Sequence, residues 1–222
     1  MVKRFFTFGA LGIATLLMSL PQPAGAVSDR RIEDARYACD SFIDGLAENS
    51  RRKDTRRAEV ARFWLFSFLT GAYEADEVLE FAEDGDSASA TIVSQVADYC
   101  AQNGDFSIHA AAVNTGTFPK PLPPTPGMGF DPRAYSCAAY MDGRDSRGDD
   151  RDQAETAEFW AFAFVQGNVS ARYHPRLVIS VSDKRKIVRA LEKSCARNPS
   201  RTLLDQTSEI ASRVRPEVLN RR

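Results

Sequence analysis

The strongest constraint on the fold is an apolar, aromatic phrase that the chain contains twice. It reads "RFWLFSFLTG" at 62–71 and "EFWAFAFVQG" at 158–167, with the aromatic residues at helical spacing. A stretch this apolar must be removed from water, so each copy predicts the buried central helix of a folded unit. Gly71 and Gly167 end the two copies and fit the position just after a helix, where a left-handed glycine is favoured.

The sequence around the aromatic phrase is also repeated, which indicates an internal duplication. "YACDSFIDG" at 37–45 aligns with "YSCAAYMDG" at 135–143, and "IVSQVADYCAQN" at 92–103 aligns with "IVRALEKSCARN" at 187–198. The offset drifts only from 98 to 95 residues, so short changes in loop length account for it. Between the copies, 115–132 holds six of the eleven prolines and predicts an extended linker.

Each copy of the repeat contains one early and one late cysteine. An even number of cysteines in an exported chain indicates disulfides, and four cysteines allow three pairings. The repeat favours the symmetric pairing, Cys39 with Cys100 and Cys137 with Cys195. The spacings are unlike those of metal sites and no histidine cluster accompanies them, so we predict no metal.

The first 26 residues have the pattern of a secretory signal peptide. Lys3 and Arg4 precede an apolar run at 5–20, and Ala-Gly-Ala at 24–26 resembles a cleavage site. The alternative is an uncleaved membrane anchor, for which the run is short. We therefore predict a periplasmic protein with no membrane association after cleavage of the signal.

Periodicity within the units is helical, and the predicted fold class is all-α. Apolar residues recur at three- and four-residue steps, with no convincing alternation of the strand type. The predicted organisation is two tandem small helical domains, each with one internal disulfide. The predicted segments are a signal peptide at 1–26, unit 1 at 27–114, the Pro/Gly-rich linker at 115–132 and unit 2 at 133–222.

Charge is distributed unevenly along the chain. The part after residue 26 has 27 basic and 30 acidic residues, a net charge of −3 that argues against nucleic-acid binding. Residues 27–116 have 9 basic and 17 acidic residues (net −8), whereas 117–222 have 18 and 13 (net +5). We expect the halves to attract at neutral pH. In strong acid the carboxylates become neutral, and with one charged histidine each the halves would carry +10 and +19 and repel each other.

Residues typical of catalysis are scarce. His109 and His174 are the only histidines, and neither is repeated in the other unit. We interpret His109 as lying on a helix face and His174 as lying in a loop. No nucleophile, zinc-protease or phosphate-loop motif is present. We predict a protein that is not an enzyme, with no catalytic residues and no cofactor.

The repeated motifs resemble the HdeA/HdeB family. Each unit has an early Cys-x-x-Phe/Tyr, an aromatic helix ending in Gly and a late Cys-Ala-x-Asn. In this chain these motifs are Cys39 with Phe42, Cys137 with Tyr140, the two aromatic phrases, "CARNP" at 195–199 and "TLLD" at 202–205. The first unit departs from the pattern, with Gly104 in place of the proline. The resemblance implies small helical periplasmic domains, each with one disulfide, that act as acid-activated chaperones.

On this resemblance, the aromatic helices are candidate client-binding surfaces that are buried at neutral pH. The candidate residues are Phe63, Trp64, Phe66, Phe68, Phe159, Trp160, Phe162 and Phe164. Their partners would be unfolding periplasmic proteins. The plain alternative is that these residues only form a core. A second alternative is an immunity protein of the type VI amidase-inhibitor (Tai) kind, in which a charged face such as "RRKDTRR" at 51–57 binds one cell-wall hydrolase.

Overall fold

A computed structural model describes most of the chain after the predicted signal peptide. The described residues are 38–47, 51–76, 81, 85–115, 118, 122, 129–173 and 181–215. They form eight α-helices and no strand, which confirms the all-α prediction. The predicted signal peptide, His174 and most of the predicted linker lie outside the described residues.

The helices follow one another as two sets of four. They are α1 (Cys39–Leu46), α2 (Arg52–Asp76), α3 (Gly85–Gln102), α4 (Ile108–Asn114), α5 (Cys137–Asp145), α6 (Asp149–Arg172), α7 (Val181–Arg197) and α8 (Leu203–Arg213). We refer to α1–α4 as the first half and to α5–α8 as the second half. In each half the second helix is the longest and carries the aromatic phrase.

Two disulfides join the first helix of each half to the third. Cys39 pairs with Cys100 and Cys137 pairs with Cys195, which confirms the predicted pairing. All four cysteines are buried. The helices that carry the aromatic phrases, α2 and α6, contain no cysteine and are held by noncovalent contacts.

The first and fourth helices of each half begin side by side. The Cys39 amide donates to the Phe106 carbonyl at 2.8 Å, and the Cys137 amide donates to the Arg201 carbonyl at 2.9 Å. The fourth helices have matching caps, in which the hydroxyls of Ser107 and Thr202 accept from the amides three residues on. The two halves therefore share local hydrogen bonding as well as helix order.

Two hydrophobic clusters form the core, and each takes residues from both halves. Phe63 of α2 packs in the cluster of the second half, and Ala163 of α6 packs in the cluster of the first half. The predicted linker contributes as well, because Phe118 and Leu122 are buried in the first cluster and Phe130 is buried in the second. The cores of the halves are consequently interlocked through α2 and α6.

The prediction that Gly71 and Gly167 end their helices is wrong. α2 continues to Asp76 and α6 continues to Arg172, so both glycines lie inside helices. A Cβ atom at Gly71 would overlap the Phe164 carbonyl, and one at Gly167 would overlap the Phe68 carbonyl. Glycine is needed here because the backbones of α2 and α6 approach each other too closely for any side chain between them.

Candidate functional site: the interface between the aromatic helices

The eight candidate client-binding residues lie on α2 and α6, the two helices that pack against each other, and Phe63 and Phe159 meet between them. Six of them are buried: Phe63, Trp64, Phe66, Phe68, Trp160 and Phe164, each at most 3% exposed. Phe159 and Phe162 are half-buried. The Lys184 ammonium of α7 lies 6.0 Å from the Phe159 ring centre and 5.9 Å from that of Phe162. Client binding by these residues would thus require the helices to separate or shift.

Contacts across the interface are reciprocal. Phe63 stacks on Phe159 with ring centres 5.9 Å apart, and these residues occupy the same position in the two aromatic phrases. Gly71 faces the backbone of Phe164, and Gly167 faces the backbone of Phe68, which are again corresponding pairs. Such exchange of equivalent contacts is the arrangement of a two-fold symmetric dimer interface.

The aromatic packing within each half is also matched. Trp64 and Phe68 have ring centres 5.0 Å apart on α2, and Trp160 and Phe164 have the same separation on α6. His109 of α4 is fully buried against the first pair, 5.9 Å from Trp64 and 5.4 Å from Phe68. The second half has Leu204 at the corresponding position, so the histidine distinguishes the two aromatic helices.

A polar contact crosses the interface near the C-terminal end of α2. The Asn168 amide of α6 donates to a Glu74 carboxylate oxygen at 2.6 Å. Ser208 of α8 also hydrogen-bonds Glu74, and the Arg172 guanidinium attracts it. Burial nevertheless dominates and raises the pKa of Glu74 above its usual value. No pattern in the sequence indicates this contact, because its partners are 94 residues apart.

We expect Glu74→Gln to stabilise the protein slightly at neutral pH. Because the folded-state pKa of Glu74 is raised, its contribution to stability is fully present in acid and is lost as the pH rises through that pKa. Glutamine cannot ionise, and its side-chain oxygen can still accept from Asn168. The gain should be below about 1 kcal/mol, because solvent screens a half-buried carboxylate.

Thermal unfolding at neutral pH and in acid checks this expectation. At neutral pH the variant should have a higher melting temperature than wild type. Below the unfolded-state pKa of Glu74 the two melting temperatures should be the same. Glu59→Gln is the control, since Glu59 is an exposed residue of the same helix. A destabilised Glu74→Gln at neutral pH would show that the attraction of the carboxylate to Arg172 and its hydrogen bond from Asn168 outweigh burial.

An ionic cluster links three helices of the second half. Arg144 of α5 forms ion pairs with Glu158 of α6, at 3.2 Å, and with Glu192 of α7. The Tyr140 hydroxyl donates to the same Glu158 carboxylate at 3.2 Å, and burial raises the pKa of Tyr140. The first half has Leu46 at the position of Arg144, so this cluster belongs to one half only.

Ion pairs contribute little across the interface. Each ion pair that joins two described residues lies within one half. The contacts between the halves in this part of the chain are mainly apolar, with the bond between Asn168 and Glu74 as a polar addition. The expected attraction between the halves thus acts at longer range, where salt screens it over about 8 Å.

Two further properties of the described residues bear on function. They contain no group of three or more histidine, cysteine or acidic side chains placed to hold a metal ion. None of their helices combines the length and apolar character that a membrane crossing requires. Comparisons with protein-family models, curated proteins and solved structures found no match for this chain.

Proposed function

We propose that this protein is an exported, non-catalytic chaperone that holds unfolding periplasmic proteins in acid. In this proposal the chain is a tandem pair of HdeA-like units, and their aromatic helices form the client-binding surface. The interface between α2 and α6 would be closed at neutral pH and open at low pH. Opening would expose the aromatic side chains that now pack between the halves.

The observation that carries the proposal is the reciprocal contact between α2 and α6. Phe63 stacks on Phe159, and each interface glycine meets the other helix at the corresponding residue. A duplicated chain would retain such an interface from a symmetric dimer. The disulfides support the proposal too, because they secure α1 to α3 and α5 to α7 while leaving the interface free of covalent links.

Individual carboxylates change the stability of the folded state in opposite directions when the pH falls. The Arg133 guanidinium lowers the pKa of Asp131, so the stability from this pair is present at neutral pH and lost as the pH falls through that lowered pKa. Arg133 also lies over the Phe81 ring of the first half, at 4.9 Å. Glu74 has the opposite effect, since its raised pKa favours the folded state in acid. In this proposal opening comes mainly from the general repulsion between two positive halves, and the loss of the contribution from Asp131 in acid adds to it.

An aggregation assay in a pH series tests the proposed function. We expect the protein to suppress aggregation of an acid-unfolding client near pH 2 and to have little effect at neutral pH. Over the same series the scattering radius and the binding of an apolar dye should rise. Reductant should remove the activity by unfolding the halves. An unchanged radius with no new apolar exposure in acid would contradict the proposal.

A pair of matched variants tests whether the aromatic helices form the client-binding surface. Phe162→Ser removes a half-buried candidate residue of α6, whereas Leu46→Ser removes an apolar residue of α1 that is 42% exposed and lies outside the aromatic helices. We expect a several-fold loss of client holding in acid for Phe162→Ser and little change for Leu46→Ser. Equal losses would indicate that clients bind to general apolar surface.

One observation favours the immunity-protein alternative. The charged segment 51–57 is folded at the start of α2, where Arg52 and Arg56 are exposed and Arg51 pairs with the buried Asp54 at 3.0 Å. Such an ordered face could bind an enzyme without any conformational change. Tight binding to a secreted cell-wall hydrolase at neutral pH, lost in Arg52→Ala with Arg56→Ala, would support this alternative.

A further inference from the structure

Helix α7 presents a line of basic residues to solvent. The line consists of Arg185, Arg189, Lys193 and Arg197, which recur every four residues and are all exposed. At the rise of an α-helix the line extends over about 18 Å. We call these four residues the α7 basic stripe.

The stripe carries charge that no neighbour neutralises. Among the described residues, no acidic group forms an ion pair with any of its four members. Both acidic residues of α7 are engaged elsewhere, since Asp183 is buried and paired with Lys186 at 2.7 Å, and Glu192 is paired with Arg144. The exposed face of α7 is therefore cationic without interruption.

The fold itself does not require this stripe. Helix α3 is the counterpart of α7, because Cys100 and Cys195 occupy the same position in their disulfides. The residues of α3 that correspond to the stripe are Ala90, Ser94, Asp98 and Gln102, and all four are exposed. The same helix face is thus nearly neutral in one half and carries four positive charges in the other.

We propose that the α7 basic stripe docks the protein on the phosphate headgroups of an anionic lipid surface. Arginine binds phosphate well, because its planar guanidinium matches phosphate oxygens, and three of the four stripe residues are arginine. The other exposed residues of α7 are Lys186, whose ammonium pairs with Asp183, and the small residues Ser182, Ala190 and Ala196. The small residues allow the stripe to approach a flat surface closely.

Other polyanions fit this face less well. Single-stranded nucleic acids are bound by stacking on aromatic side chains, and the exposed face of α7 has none among its described residues. A tight protein interface needs a central aromatic or apolar anchor, which this face lacks as well. A lipid surface requires only charge, and each basic residue near it strengthens binding by about five-fold.

The charge distribution of the chain would also orient it. Residues 27–116, which include α1–α4, carry a net charge of −8, and residues 117–222, which include α5–α8, carry +5. An anionic surface would therefore repel the first half and attract the second, which places α7 towards the lipid. This peripheral docking needs no membrane-crossing helix, and it replaces the expectation, drawn from the sequence alone, of no membrane association. It is independent of the proposed acid response, because it acts at neutral pH with the halves closed.

Sedimentation with lipid vesicles tests the proposal at neutral pH and low salt. The probe is a vesicle of phosphatidylcholine with about one-third phosphatidylglycerol, compared with phosphatidylcholine alone. We expect binding to the anionic vesicles only, and loss of that binding in high salt. Replacement of all four stripe residues by glutamine should lower the partition coefficient by about 100-fold or more. This variant is Arg185→Gln, Arg189→Gln, Lys193→Gln, Arg197→Gln.

A charge-matched variant is the control. It removes four exposed bases outside α7, as Arg52→Gln, Arg56→Gln, Arg147→Gln, Arg215→Gln. We expect only a few-fold loss of binding, and thermal unfolding should show that both variants remain folded. Equal losses in the two variants would overturn the proposal. So would tighter wild-type binding to single-stranded RNA or to an acidic polypeptide than to the anionic vesicles.

Discussion

Gly167→Ala should lower the free energy of unfolding by about 2–3 kcal/mol, although alanine is the better helix former. The added methyl group would overlap the Phe68 carbonyl and would lie 3.0 Å from the amide nitrogen of Ala72. Both neighbours are backbone atoms of α2, so no side chain can move aside. The helices must separate instead, which loosens the packing of Phe63 on Phe159.

The test is whether Gly167→Ala lowers or raises the free energy of unfolding, and denaturant unfolding measures this change. Alanine at a helical position without close neighbours would stabilise by up to about 1 kcal/mol. Ala190→Gly, at an exposed position of α7, measures that propensity in the same protein. Gly71→Ala should behave like Gly167→Ala, because it meets Phe164 in the same way. A neutral or stabilising effect at either position would contradict the close approach of α2 and α6.

Loss of either disulfide should cost about 4 kcal/mol. The two bonds join cysteines 61 and 58 residues apart, so each greatly restricts the unfolded chain. We expect this loss in each of two double variants. One is Cys39→Ala with Cys100→Ala, and the other is Cys137→Ala with Cys195→Ala. Removal of both bonds approaches the whole stability of a typical domain, which is about 5–15 kcal/mol.

Circular dichroism during thermal unfolding, with and without reductant, measures the loss. The variant that lacks all four cysteines is the control, because reductant should not change its circular dichroism at any temperature. Mass spectrometry can establish that reductant has broken both bonds in wild type. If the melting temperature then stays the same, the bonds contribute little to stability. That result would also remove the reason for reductant to abolish client holding.

Local features of this fold could be predicted from the sequence. Helical periodicity indicated an all-α structure, and the symmetric positions of the cysteines indicated which of them pair. Both predictions depend on patterns that are repeated in each half. The burial of the aromatic phrases also follows from their composition, because the hydrophobic effect favours burial of a helix rich in Phe and Trp whatever its partner.

The relation between the halves was harder to predict. A glycine after an aromatic helix has the same sequence pattern whether it ends that helix or meets another one, and Gly167 does the second. Phe63 gives no sign in the sequence that it packs in the core of the other half. Contacts such as Asn168 with Glu74 depend on the crossing of α2 and α6, which only the folded structure specifies.

The interface between α2 and α6 joins two parts of a single chain, and this has a kinetic consequence. Two separate subunits that part in acid must find each other again by diffusion, so their reassociation slows on dilution. Tethered halves meet at an effective concentration of the order of millimolar, which the tether sets and dilution does not change. If the halves separate, their closing after a return to neutral pH should be a first-order process, at the same rate in dilute and in concentrated solution.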